Sequence, residues 1–145
     1  MVKISELTQR AMDRESKYTW IQGYDDSVVP TEFIGETILS VKMGEDSYSD
    51  AFIFEFDTHK LIMIDDGQSC CEHRYFTCDD DYEGLTGSEL VSIEQVDYKE
   101  NGDDYVHEES FIKVQTSTGF ITIVSHNEHN GYYGGINRTF KVIAK

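Results

Sequence analysis

The chain has 145 residues, the length of one ordinary domain, and 28 acidic against 12 basic side chains give it a formal charge of −16. A field of that sign repels nucleic acid and anionic membranes, so neither is expected as a direct partner. No apolar run reaches membrane length, no signal-peptide pattern opens the chain, and three cysteines, two of them adjacent, make no disulfide framework. These features predict a cytoplasmic protein of a reducing compartment.

The first predicted element is a short amphipathic helix over 4–15, where Ile4, Leu7, Ala11 and Met12 fall on one stripe and Ser5 caps the start. Pro30 marks a turn or strand entry. From Glu32 onward the chain reads as β. The runs ETILSVKM, AFIFEF, KLIMIDD, SELVSIEQV, ESFIKVQTS, GFITIVS and RTFKVIA are short, β-prone and separated by turn residues. DYKENGDDYVHEE, with its Asn101-Gly102 pair, predicts a long exposed hairpin tip.

The runs also resemble one another. GETILSV from Gly35 matches GSELVSI from Gly87. Phe52, Ile53, Ile62 and Ile64 match Phe111, Ile112, Ile121 and Ile123 at a spacing of 59, and Arg74 and Phe76 match Arg138 and Phe140 at a spacing of 64. The expectation is a single α+β, mainly antiparallel β domain over 1–145. It comprises the N-terminal helix and two related four-strand halves, 32–78 and 84–143. In each half a polar loop precedes the fourth strand: DDGQSCCE in the first and SHNEHNGYYGG in the second.

Those two loops carry a family resemblance. Cys70-Cys71-Glu72 after a hairpin, then LTGSELVSIEQV, then Asn130-Gly131-Tyr132-Tyr133 resembles a phage and bacterial domain-of-unknown-function family over about residues 35–143. Ser69 stands where that family has Asp, and Gly134-Gly135 where it has Ser. The resemblance implies a phage-type setting, the host cytoplasm, and a small accessory protein that counters host defence.

Several chemistries compete for these residues. The expected ligand contacts are Cys71, Glu72, Arg74, His126, Asn130, Tyr132, Tyr133 and Arg138. A tyrosine would stack on a base, Arg138 or Arg74 would pair with phosphate, and Asn130 with glycine N–H groups would fix orientation. The preferred expectation is non-catalytic sequestration of a small molecule, a cyclic nucleotide immune signal. The alternative is an acidic DNA mimic or inhibitor of a host protein, presenting DDDYE and ENGDDYVHEE. A cysteine- or metal-dependent hydrolase built on Cys71 and His126 ranks third. No cofactor and no metal ligand are assigned: His126 and His129 lack a third ligand at a characteristic spacing, and adjacent Cys70 and Cys71 point to opposite faces of a strand. Unpaired edge strands make a homo-oligomer one means of protecting them.

Overall fold

The computed structural model describes residues 18–22, 31–46, 49–65, 71–131 and 134–145. The expected helix over 4–15 lies outside the described residues, as do Cys70, Tyr132 and Tyr133. The described chain is almost entirely antiparallel β, with two 3-10 turns, Thr31–Phe33 and Tyr82–Leu85.

Among the described residues, nine strands make two sheets. They are β1 Tyr18–Gln22, β2 Ser40–Asp46, β3 Ser49–Glu55, β4 His59–Asp65, β5 Glu72–Thr77, β6 Leu90–Asn101, β7 Val106–Thr116, β8 Phe120–His129 and β9 Arg138–Ala144. The first sheet runs β1-β9-β4-β3-β2 and the second β5-β8-β7-β6. Strands β2 to β4 form a meander, and β5 then crosses to the other sheet. Strands β6 to β8 do the same, and β9 crosses back.

The inner faces meet in one core of Phe33, Phe52, Phe54, Phe76, Ile112, Val114, Ile123, Phe140 and their neighbours. Strict alternation places them there. Along β7 every second residue from Val106 to Thr116 is buried. Aromatic rings fill the space between sheets, with Phe52 edge-on to Tyr82 at 5.4 Å. Each fully buried side chain of this size contributes about 1.5–3 kcal/mol.

The two segments are related by near-symmetric backbone contacts. Gly35 N–H donates to Leu90 O and Gly87 N–H to Ile38 O, each at 2.8 Å. Glu36 N–H donates to Phe33 O and Ser88 N–H to Leu85 O, each at 3.1 Å. Gly35 and Gly87 have φ of 89° and 88°, a left-handed conformation that favours glycine. The matched GETILSV and GSELVSI stretches thus occupy equivalent places.

The spacing of 59 is corrected by one residue. Phe52 lies in the core, whereas Phe111 lies on the outer face under the Lys99 ammonium. Inner positions correspond at a spacing of 60. The cross-strand pairs Phe52↔Met63 and Phe54↔Leu61 match Ile112↔Ile123 and Val114↔Ile121. A one-residue slip exchanges the faces of a strand, and similar apolar residues on both faces concealed it.

Candidate functional site

Both crossover loops leave the same end of the sandwich. Asp65, the last residue of β4, is opposite Arg138, the first of β9. Glu72, the first residue of β5, is opposite His129, the last of β8. His129 is also opposite Val106, where β7 begins. The connections 66–71 and 130–137 therefore share one end with the β6–β7 hairpin tip. The β2–β3 hairpin joins them, since Ala51 near the start of β3 is opposite Ile64.

A polar network lies under this end. Arg74 Nη1 donates to Asp65 Oδ1 at 2.7 Å and Nη2 to Glu72 Oε2 at 2.9 Å, tying the two sheets together. Asn127 Nδ2 donates to Glu72 Oε2 at 2.8 Å and to Gly135 O at 3.0 Å. Asn137 N–H donates to Asp65 Oδ1 at 2.8 Å. Burial pushes the Asp65 carboxyl up to about 6, against the pull of Arg74 and the Asn137 N–H.

The second half of the network fastens loop 130–135. Glu108 Oε1 accepts from Gly135 N–H at 2.8 Å and lies 2.6 Å from His129 Nε2. Its other oxygen accepts from the Tyr98 hydroxyl. Gly131 N–H donates to His129 Nδ1 at 3.0 Å, which leaves the ring proton on Nε2, facing Glu108. Burial raises the Glu108 pKa, but the hydrogen bonds from Tyr98, Gly135 and His129 outweigh it and hold the carboxyl below its ordinary range. Burial first, and then Glu108, pushes the Tyr98 phenol up.

The structure separates the sequence-predicted site residues. Glu72, Arg74 and Arg138 lie at this end, and Arg138 is 2% exposed. Cys71 is exposed beside them with φ of 72°. Asn130 is exposed just after β8. His126 is elsewhere: it points from β8 to the outer face of the second sheet, one residue out of phase with the inward Asn127. There its Nε2 lies 2.7 Å from Thr77 Oγ1, its Nδ1 lies 2.8 Å from His107 Nε2, and the Tyr75 ring stacks on it at 4.4 Å. Burial, then His107, holds the His126 pKa below its ordinary value.

No sequence motif points to Asp65, Glu108 or Asn127, and His129, weighed above with His126 as a metal ligand, is instead the partner of Glu108. A signal for Glu108 was present, because it falls in phase with Val106, Ser110, Ile112 and Val114, the buried positions of its strand.

The geometry defines a class: a two-sheet antiparallel β sandwich with exchanged fourth strands and a polar loop end held by buried carboxylates. A family model described as "Domain of unknown function (DUF7448)" matches residues 31–137, and the chain belongs to that family. No curated protein and no solved structure matched the chain. Among the described residues no helix is long and apolar enough to cross a membrane.

Proposed function

We propose that the chain is a non-catalytic accessory protein that lays its loop end against a basic surface of a protein partner and inhibits it. The phage-type, counter-defence setting implied by its Cys-Cys-Glu and Asn-Gly-Tyr-Tyr signature belongs to this proposal. One observation carries it. The end that gathers both hairpin tips and both crossover loops turns Glu45, Glu100, Asp103 and Asp104 to solvent, while Arg74 and Arg138 face inward. Protein carboxylates already occupy three of the donors that an anionic ligand would use. Asp65 takes Arg74 and the Asn137 N–H, and Glu108 takes the Gly135 N–H. Such an end favours cationic partners, with attraction that weakens as salt rises.

Nucleotide sequestration is the second reading. It is favoured by the anchoring of Gly131 and Gly135 on either side of Tyr132-Tyr133, beside the other crossover loop. In this reading the tyrosines stack on a base, and Arg74 supports the loops from within rather than meeting phosphate.

The test is titration with an arginine-rich peptide. Asp103→Lys with Asp104→Lys is compared with Asp57→Lys and Glu89→Lys, two swaps of equal charge at the far end. Binding lost only with the first pair supports the proposal. Equal losses reduce it to net charge. A thermal shift with a cyclic dinucleotide and none with the peptide moves the reading to sequestration.

A further inference from the structure

We propose that His107, Glu109 and His126 form a binding site for a divalent transition-metal ion, zinc by ligand type, on the outer face of the second sheet. The site is independent of the acidic loop end, because its side chains point away from the buried network.

Strand pairing assembles it. Glu109 on β7 is directly opposite His126 on β8, and His107 lies two residues before Glu109 on the same face. One ligand atom from each of the three lies within 4.8 Å of the others. His107 Nε2 is 2.8 Å from His126 Nδ1, and Glu109 Oε2 is 3.9 Å from that same Nδ1. Two nitrogens bound to tetrahedral zinc at 2.0–2.1 Å stand about 3.3 Å apart, so the imidazoles need to part by only about half an ångström. Two imidazoles and a carboxylate are borderline donors that suit zinc and its late first-row neighbours. Three protein ligands leave a fourth position for water.

The surroundings orient the ligands. Thr77 Oγ1 lies 2.7 Å from His126 Nε2 and can accept a hydrogen bond from its N–H, which fixes the tautomer that leaves Nδ1 to the metal. Tyr75 stacks on the His126 ring with planes 6° apart, and its hydroxyl donates to Glu128 Oε2 at 2.7 Å. Glu128, opposite His107, places a second carboxylate beside the site. No linear motif reports this set, because two ligands lie on one strand and the third on the next.

The test uses the full chain with Cys70, Cys71 and Cys78 replaced by serine, so that thiolates cannot bind. Cobalt is titrated by visible absorption and zinc by calorimetry. The expected result is one ion per chain, retained in His73→Ala. His107→Ala with Glu109→Gln should weaken binding beyond the ~10–100-fold typical of an outer-shell change, and Thr77→Val should weaken it within that range. Circular dichroism checks each fold. If His107→Ala does not fold, Glu109→Gln alone carries the comparison. One-to-one binding that survives loss of these ligands overturns the proposal. So does thiolate-dependent binding that vanishes in the serine background, or no binding at about 1 mM metal.

Discussion

Arg74 on β5 and Asp65 on β4 meet at 2.7 Å across the two sheets, with side chains 8% and 4% exposed. The guanidinium also holds Glu72, whose side chain is 1% exposed. Removing the cation leaves two buried carboxylates short of their partner, which typically costs about 3–5 kcal/mol. Arg74→Met should lower urea stability by that order, and adding Asp65→Asn should recover part of the loss. Strict additivity of the two changes would show that the pair is not coupled.

The same carboxyl gives a pH signature. Its folded pKa is raised to about 6 from its ordinary 3.8, so the folded state holds this proton over that window. The stability contributed by Asp65 therefore falls as pH rises from about 4 to about 6 and is level on either side. The difference in urea stability between the wild-type chain and Asp65→Asn should decline across that window. A difference that grows with pH would mean that the folded pKa is depressed.

Gly134 is confined by the groups that fasten its loop. A Cβ there would lie 2.7 Å from Glu108 Oε1 and 3.1 Å from the His129 ring. Because Glu108 is held by Tyr98, His129 and Gly135, it has little room to retreat. Gly134→Ala should cost about 1–3 kcal/mol, the range for overpacking. Thermal unfolding measures it, and a neutral change would mean that the loop moves freely.

Phe52 and Phe111 test the one-residue correction to the internal match. Phe52 is fully buried in the core, so Phe52→Ala should cost about 3–5 kcal/mol. Phe111 lies half-buried on the outer face with Lys99 over its ring, so Phe111→Ala should cost about 1 kcal/mol. Equal costs in denaturant titrations would restore the spacing of 59.

The seven β runs from Glu32 onward were legible because alternation and turn residues report strands directly. The Asn101-Gly102 hairpin followed for the same reason: Gly102 has φ of 103°, and a Cβ there would lie 1.9 Å from Tyr105 O. The internal match was legible in order, but not in phase, since Ile62 and Ile64 pack in a separate cluster on the other face of β4. The site was less legible. Arg74 and Glu72 were singled out as ligand contacts, yet their observed partners are other residues of the chain, Asp65 and Asn127. Those partners come from strands β4 and β8, and no local pattern announces an ion pair between sheets. His126 was grouped with Asn130 by proximity in sequence. A strand turns successive residues to opposite faces, and that separates it from the inner network.

The acidic loop end is the proposed contact surface. Backbone amide shifts of the chain titrated with a deca-arginine peptide at physiological salt test it most directly. Perturbations should concentrate in residues 44–50, 65–74, 100–108 and 128–138. Shifts centred on the 57–58 and 117–119 turns, or spread evenly over the acidic surface, would contradict it.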